Sequence, residues 1–324
     1  MRIVIPDDYQ DAVRGLDCFA RMSAHQVQVY RDTVKDLDAL VERFREADGL
    51  VLIRERTAIT EALLSRLPNL RLISQTGRGI AHIDLPACTR HGVLVCAGIG
   101  SSDSTAELTW GLVLAATRFI PQEAESLKRG RWQTRLGIGL RGRTLGILGY
   151  GKIGSLVAGY GRAFGMNVLV WGREGSLSRA QADGFTVARS QPDLFEQSDV
   201  VSLHVKLTAE TRGIITAADL TAMKPSALLV NTSRAELIQP GALESALTAG
   251  RPGFAAVDVY ETEPVTDHPL LHMENVVCTP HLGYVEKDSY EIYFSAAFDQ
   301  VNAFVAGEPI NILNPEVLES RRKE

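Results

Sequence analysis

Three side chains in the second half of the chain have the types needed for anion binding and proton transfer: Arg234, Glu263 and His281. A guanidinium holds a carboxylate through two parallel hydrogen bonds, which a lysine does not. An imidazole exchanges a proton near neutral pH, and a carboxylate beside it stabilises its protonated form. These groups suit reduction of a 2-oxo acid, because hydride addition builds negative charge on an oxygen that needs a cation and a proton donor.

A glycine-rich run, Gly149-Tyr150-Gly151-Lys152-Ile153-Gly154, precedes these three residues. It follows an apolar segment, 144–148, that predicts a strand, and it leads into a predicted helix over 153–164. In such a turn the first glycine allows the bend, the second lets a pyrophosphate approach, and the third lets helix and strand pack closely. Free amides and the positive end of the helix dipole bind phosphate, so the run predicts a dinucleotide site.

The residues after the next predicted strand, 167–171, bear on which dinucleotide binds. An acid at the end of that strand accepts a hydrogen bond from the ribose 2′-hydroxyl of NAD. Here Gly172 takes that place and Arg173 follows it. A guanidinium suits a 2′-phosphate, so NADP is favoured. NAD is the alternative, with Glu174 holding the ribose, and a third interpretation leaves both charges solvated.

Length and composition restrict the class of protein. A chain of 324 residues predicts two domains, because single cores rarely grow beyond about 250–300 residues. The net charge of -5 gives no basic surface for nucleic acid or an anionic membrane. The four cysteines lack paired metal or redox spacing, and no signal peptide or membrane-spanning stretch is evident, which predicts a cytoplasmic protein without a metal site.

Short β-branched runs alternate with helical stretches, which predicts α/β architecture with two doubly wound parallel sheets. The strands are predicted at 2–5, 27–30, 49–53, 70–75 and 93–96, then at 144–148, 167–171, 200–204, 227–231, 255–259 and 276–278. The helices are predicted at 37–46, 60–67, 153–164 and 287–306, with one long helix over 101–120 and Pro121 just beyond it.

Four motifs in this order and spacing resemble those of the D-isomer-specific 2-hydroxyacid dehydrogenases, a family that includes D-glycerate, D-lactate, phosphoglycerate and glyoxylate/hydroxypyruvate enzymes. The motifs are the glycine run, Asn231-Thr232-Ser233-Arg234, Asp258-Val259-Tyr260-Glu261-Thr262-Glu263-Pro264 and Thr279-Pro280-His281-Leu282-Gly283. The resemblance covers nearly the whole chain. It implies a flavodoxin-like substrate domain (1–98 plus 286–324), a Rossmann cofactor domain (99–285) inserted into it, and a homodimer.

The resemblance also implies roles for single residues. Arg234 would bind the substrate carboxylate and carbonyl, His281 would be the acid/base, and Glu263 would pair with it. The main-chain amides of a four-residue loop would hold the substrate carboxylate: Thr76, Gly77, Arg78 and Gly79. Asp258 would contact the nicotinamide side, and further cofactor contacts are implied at Thr105, His204, Thr232, Ser233 and Gly283, although residue type alone makes His204 a structural histidine.

Three positions depart from the family pattern, and a fourth residue is a further candidate for substrate binding. Arg78 and Ala81 replace a small apolar residue and an aspartate in the substrate loop, and Lys206 replaces a proline after His204. Arg54 ends a predicted strand at the carboxyl edge where open α/β sheets place ligands, and Arg78 follows the next strand. Both arginines are therefore candidates for a second polar group on the substrate. The alternative is that they are solvated or pair with acids such as Glu55.

Other functions remain open at this point. A formate dehydrogenase of the same superfamily would carry glutamine at position 263, so Glu263 argues against that activity. The chain ends soon after the last predicted helix, which weakens a regulated phosphoglycerate dehydrogenase without excluding it. A protein that binds NAD(P) as a sensor and has lost turnover is the alternative of a different class, and the intact trio argues against it.

Overall fold

The computed structural model describes residues 1–321. Contacts within the chain divide it into two compact units. The first unit comprises Met1–Ser101 and the described residues from Glu286 onward, and the second comprises Ser102–Val285. The polypeptide therefore leaves the first unit once, builds the second unit, and returns to complete the first.

Strands and helices alternate along most of the described chain. The strands are β1 Arg2–Ile5, β2 Gln26–Val29, β3 Gly49–Leu52, β4 Leu72–Gln75, β5 Leu94–Ala97, β6 Thr144–Leu148, β7 Asn167–Trp171, β8 Thr186–Val187, β9 Val200–Leu203, β10 Leu228–Asn231, β11 Phe254–Val257 and β12 Val276–Cys278. The helices are α1 Leu37–Phe44, α2 Glu61–Leu64, α3 Leu85–Arg90, α4 Asp103–Thr117, α5 Ile120–Lys128, α6 Lys152–Ala163, α7 Glu174–Ala182, α8 Gln191–Gln197, α9 Ala217–Ala222, α10 Ala242–Thr248, α11 Lys287–Val305 and α12 Glu316–Arg321.

The first unit contains a five-stranded sheet in the order β2-β1-β3-β4-β5, and every neighbouring pair is parallel. This is the strand order of flavodoxin-like folds. Side chains at the helix starts accept main-chain hydrogen bonds, as Asp36 does for α1 and Thr60 for α2. The returning helix α11 packs on this sheet, where Ser74 donates to the Ala297 carbonyl at 2.9 Å.

The second unit contains a seven-stranded parallel sheet in the order β12-β11-β10-β9-β6-β7-β8. The order reverses at β6, so the carboxyl ends of β6 and β9 form the switch point where open α/β sheets bind ligands. Apolar side chains cover both faces of the sheet, as the continuous apolar runs of its strands require. The predicted class of two parallel-sheet α/β domains is confirmed.

Two predictions about these elements are wrong. The single helix predicted over 101–120 is two helices, because Phe119 takes a left-handed φ of 52° between α4 and α5. Pro121 does not follow the helix but occupies the first turn of α5, where its missing N–H costs no hydrogen bond. The two-residue strand β8, at the edge of the second sheet, was not predicted. No helix among the described residues is long and apolar enough to cross a membrane.

Candidate active site

His281 and Glu263 form a hydrogen-bonded pair in the second unit. Nδ1 of His281 lies 2.6 Å from Oε2 of Glu263, and the main-chain amide of Tyr260 donates to Oε1 of the same carboxylate at 3.1 Å. The two side chains are 26% and 33% exposed, so the pair is accessible yet partly shielded from water. The backbone of His281 has a φ of 52°, an uncommon conformation for a residue with a side chain.

The ionisation of Glu263 follows from its neighbours. Burial alone would raise the pKa of Glu263, but the hydrogen bond and charge of His281, the Tyr260 amide and the charge of Arg234 together hold the pKa below its usual value. Glu263 is therefore an anion under ordinary conditions, and its carboxylate lies directly against the imidazole. Nδ1 faces the carboxylate, and Nε2 makes no hydrogen bond to the described residues.

Arg234 follows β10 and is held by a local network. Asn231, the last residue of that strand, donates from its side chain to the Arg234 carbonyl at 2.9 Å and accepts from the Ser233 amide at 3.0 Å. The Arg234 guanidinium donates to the Ser233 carbonyl at 2.7 Å. The sequence analysis assigned Asn231 no role, although a polar residue at the end of a buried strand is a signal for such a turn.

Asp258 is fully buried at the end of β11 and organises the loop that carries His281. Its carboxylate accepts three hydrogen bonds, from the Thr279 hydroxyl at 2.6 Å, the Leu282 amide at 2.7 Å and the Gly283 amide at 2.9 Å. The residue was predicted to contact the nicotinamide side of a cofactor. In the structure both of its oxygens accept hydrogen bonds from the loop, and the contact with the nicotinamide side stays a prediction.

The first turn of α4 holds the same loop from its other side. The hydroxyls of Ser104 and Thr105 donate to the Gly283 carbonyl at 2.8 and 2.7 Å. Gly283 was predicted to contact the cofactor, as was Thr105. A Cβ at Gly283 would lie 3.3–3.4 Å from Asp258 and Thr105, so the close packing of this position accounts for its glycine. The role of Ser104 was missed, and nothing in its sequence context indicates it.

The glycine run forms the turn between β6 and α6 that the sequence predicted. Gly149 has a φ of 97°, and a Cβ there would lie 2.7 Å from the His204 carbonyl oxygen. A Cβ at Gly154 would overlap the Gly149 carbonyl. Nothing lies within 4 Å of a Cβ built on Gly151, which leaves the approach to its backbone open. The turn therefore fits a pyrophosphate. Close packing requires the first and third glycines, and the second glycine leaves room for the pyrophosphate to approach the backbone.

The other residues of the run contribute through the backbone and the helix start. Tyr150 buries its ring and donates its hydroxyl to Asp183 at 2.6 Å, and burial with this bond raises the pKa of Tyr150 to about 12. Arg179 donates to the Tyr150 carbonyl at 2.9 Å, which ties the turn to α7. Lys152 and Ile153 begin α6, with Lys152 exposed.

The carboxyl ends of β7 and β9 flank this turn. A Cβ at Gly172 would lie 3.6 Å from the Gly149 Cα, and the exposed Arg173 immediately precedes α7 without a side-chain capping hydrogen bond. On the other side, burial lowers the pKa of His204 to about 3, so its ring is neutral and hydrogen-bonded to the Ser202 hydroxyl at 2.9 Å. A cofactor contact of His204 stays a prediction.

Two further predicted cofactor residues follow β10 and belong to the same unit. The Thr232 hydroxyl lies 2.7 Å from that of Thr109 on α4, and Thr232 is buried. The Ser233 hydroxyl donates to the Leu203 carbonyl at the end of β9. Both side chains therefore join neighbouring elements at the carboxyl edge of the sheet. No group of three or more His, Cys, Asp or Glu side chains in residues 1–321 is placed to hold a metal ion.

The loop predicted to bind a substrate carboxylate lies at the carboxyl edge of the first unit's sheet. The prediction is wrong for the Thr76 amide, because it donates to the Leu52 carbonyl at 3.1 Å and continues the ladder between β3 and β4. Thr76 is buried, and its hydroxyl donates to the same carbonyl at 2.8 Å. Gln75 donates to the Gly79 carbonyl at 3.0 Å and so fixes the far end of the loop.

Arg54 and Arg78 both belong to this edge. Arg54 has a left-handed φ of 56°, and its guanidinium lies 5.8 Å from the centre of the Tyr293 ring. A Cβ at Gly77 would overlap Arg54 Nη1, so the arginine lies directly against the loop. Arg78 is exposed and makes no ion pair with any described residue.

Comparison with known proteins agrees with this geometry. Residues 110–283 match the family model described as "D-isomer specific 2-hydroxyacid dehydrogenase, NAD binding domain". The chain is 38% identical to the glyoxylate reductase of Aeropyrum pernix over 298 residues, covering 88% of each protein. It is 36% identical to the D-3-phosphoglycerate dehydrogenase of Methanocaldococcus jannaschii over 312 residues, which cover 95% of this chain but only 58% of that relative.

A solved structure of an oxidoreductase from Ralstonia solanacearum superposes with a TM-score of 0.96 at 56% identity, covering 98% of each chain. The matched motifs, the strand orders of both sheets and these relatives agree. The chain belongs to the D-isomer-specific 2-hydroxyacid dehydrogenase family.

Proposed function

We propose that this protein is an NAD(P)-dependent dehydrogenase that interconverts a 2-oxo acid and a D-2-hydroxy acid. The observation that carries the proposal is the 2.6 Å pair of His281 and Glu263, with the charge of Arg234 acting on the same carboxylate. The pair joins a proton carrier to an anion that stabilises the proton, and the guanidinium supplies the anchor for an acid.

Each of the three side chains has a separate task in this proposal. When bound, the nicotinamide supplies or accepts the hydride at the substrate's C2. In reduction, Nε2 of His281 gives a proton to the ketone oxygen, so that hydride and proton together produce the hydroxy acid. Arg234 binds the carboxylate and the carbonyl oxygen, where negative charge develops. Glu263 holds the imidazole at Nδ1 and supplies the negative charge beside it.

Several candidate residues bind the ligands rather than react. The amides of Gly77, Arg78 and Gly79 bind the substrate carboxylate, and Arg54 and Arg78 supply charge for a second group. The amides of the glycine run bind the pyrophosphate. Thr105, Thr232, Ser233 and Gly283 complete the cofactor contacts through the carboxyl edge of the second sheet, where Asp258 holds the His281 loop.

Two narrower activities are supported by relatives of similar identity, a glyoxylate reductase and a D-3-phosphoglycerate dehydrogenase. The alternative of another class is a sensor that binds NAD(P) without turnover. Loss of reduced-nicotinamide absorbance with glyoxylate, hydroxypyruvate, its 3-phosphate, pyruvate and aryl pyruvates separates these three. Tight cofactor binding with no absorbance change on any acid would favour the sensor.

His281→Ala tests the assignment of the acid/base. We expect kcat to fall by about a hundredfold or more, because general acid catalysis typically contributes 10²–10⁴-fold, while the cofactor still binds. His272→Ala is the matched control, since His272 is exposed and pairs with Asp267 at 2.8 Å. Near-normal turnover of the His281 variant would refute its role.

We propose NADP as the preferred cofactor, with NAD as the alternative. Gly172 leaves no acid at the end of β7, and Arg173 is exposed beside it. A hydrogen bond to a charged group is worth about 1.5–3 kcal/mol, which corresponds to roughly ten- to hundredfold in affinity. Arg173→Ala should therefore weaken NADPH by about that factor and leave NADH nearly unchanged. A wild type that prefers NADH would instead assign the ribose to Glu174.

We also propose that the protein is a homodimer. The segment 131–140 after α5 has no helix or strand. In this segment 75% of the surface of Trp132 and 93% of the surface of Leu136 is exposed to solvent. Ile120 and Leu127 on the preceding helix α5 are also exposed, and large exposed apolar patches mark association sites. Leu136→Asp should shift the mass in light scattering from dimer to monomer, whereas Val305→Asp, on the exposed end of α11, should not. A monomeric wild type would refute the proposal.

A further inference from the structure

Lys206 is a departure from the family pattern that the proposed function does not use. It is the third residue after β9, and Arg173 is the second residue after β7. In the sheet order β9-β6-β7 these two strands lie on either side of β6, whose end is the glycine turn. Since neighbouring strands are about 4.8 Å apart, the ends of β9 and β7 are roughly 10 Å apart.

Packing around Gly149 brings the two strand ends against the same turn. A Cβ at Gly149 would lie 2.7 Å from the His204 carbonyl oxygen and 3.1 Å from Val205 Cγ2. On the opposite side, a Cβ at Gly172 would lie 3.6 Å from the Gly149 Cα, in ordinary van der Waals contact. The next residue on each side is a cation, Lys206 or Arg173, and both are exposed. Two long cationic side chains therefore flank the dinucleotide turn.

The backbone at Lys206 is fixed, while its charge is uncompensated. The Thr211 hydroxyl donates to the Lys206 carbonyl at 2.7 Å and accepts from the Thr208 amide at 2.7 Å. The nearby acid Glu210 accepts from the Thr208 hydroxyl at 2.6 Å. Neither Lys206 nor Arg173 forms an ion pair with any of the described residues, in contrast to Lys224, which lies 3.0 Å from Asp199.

We infer that Lys206 and Arg173 together bind the 2′-phosphate of NADP(H), each from one side of the glycine turn; this inference rests on the proposed dehydrogenase function. Two unpaired cations at this separation repel one another, and a doubly charged phosphate between them replaces that repulsion with two attractions. Lysine acts here as a point charge and arginine as a planar donor. A lysine can therefore take the place of a second arginine in binding the phosphate.

Binding measurements test the inference without turnover. Isothermal titration of the cofactor-free protein would use NADPH, NADH, adenosine 2′,5′-bisphosphate and 5′-AMP. We expect Lys206→Ala to weaken NADPH and the bisphosphate by about tenfold or more, and to leave NADH and AMP within about twofold. Lys206→Arg should restore most of the loss. Lys128→Ala, an exposed lysine at the end of α5, is the charge-matched control.

The double variant of Lys206 and Arg173 adds a second criterion. If both cations bind one phosphate, their losses should be non-additive, because residues that share a partner are energetically coupled. An equal loss for NADPH and NADH would place Lys206 on the adenine or the pyrophosphate and overturn the inference. An unchanged affinity for all four ligands would overturn it as well.

Failure of this inference is distinguishable from failure of the proposed function. Turnover of oxo acids with NADH alone, combined with no effect of Lys206→Ala, would refute the phosphate site and leave the dehydrogenase intact. Binding of the bisphosphate that depends on Lys206, combined with no turnover on any acid, would support the site and refute the enzyme. The binding measurements therefore test the phosphate site, and the turnover measurements test the dehydrogenase function.

Discussion

Nδ1 of His281 lies 2.6 Å from Oε2 of Glu263, while the Tyr260 amide binds the other oxygen of the same carboxylate. Tyr260 and Glu263 belong to one motif and His281 to another, 18 residues away. One oxygen of the carboxylate is thus held by its own loop, and the other oxygen contacts the imidazole. These two contacts give the pair a defined geometry, so its contribution to proton transfer can be measured.

Glu263→Gln tests that contribution through the pH dependence of ketone reduction. The pKa of Glu263 is held below its usual value, so Glu263 is an anion at neutral pH and stays one at pH values near the usual carboxyl pKa. Glutamine carries no charge, so the proton-donating form of the site loses its anionic partner. We expect the alkaline limb of kcat/KM for reduction to move to lower pH. Glu261→Gln is the control. If the alkaline limb of the Glu263→Gln variant does not move, Glu263 has only a structural role.

Arg234→Lys tests the anchoring of the substrate carboxylate. A lysine keeps the charge but loses the planar fork that binds two oxygens at once. We expect the apparent KM for the oxo acid to rise by about tenfold or more, while the Kd of the cofactor stays unchanged. Arg212→Lys is the control, since Arg212 is exposed and lies 3.8 Å from Glu236. A substrate KM equal to that of the wild type would refute the anchor.

Asp258→Asn tests the support of the His281 loop. Both carboxylate oxygens accept main-chain N–H groups, so an amide nitrogen in either orientation would face a donor. A buried donor left without an acceptor costs about 1–3 kcal/mol. We expect urea denaturation to show a loss of that size, together with a reduced kcat. Asp267→Asn, at an exposed position paired with His272, should change neither. Wild-type stability of the Asp258 variant would contradict the buried network.

Arg78→Ala tests whether the first unit's loop selects a substrate with a second polar group. Arg78 is exposed and has no ion-pair partner among residues 1–321, so it is available to a ligand. We expect kcat/KM to fall more with hydroxypyruvate or a dicarboxylic oxo acid than with pyruvate, which has no group to lose. Arg14→Ala, an exposed arginine of the same unit, should affect none of the three. Equal losses on all substrates would place Arg78 on the common carboxylate or on the fold.

Much of the fold was predictable because its signals are local. Strands buried on both faces give continuous apolar runs, and helices give capping residues such as Thr60, so class, alternation and most elements follow from the sequence. The break at Phe119 was not predictable, since a left-handed residue between two helices leaves no sequence signal when the residue is aromatic. The edge strand β8 is two residues long and shows no periodicity.

The residue types and their motifs determined the chemistry that we propose for the candidate site, because a guanidinium, an imidazole and a carboxylate suit an oxo acid. Tertiary structure decided how these groups are held. Tertiary packing placed both Asp258 and, from α4, Ser104 in hydrogen-bonding distance of Gly283 in the His281 loop. It also placed Lys206 and Arg173 on either side of one turn, although they are far apart in sequence. Such relationships depend on which strands are neighbours, and pairing between distant segments is not encoded in any local pattern.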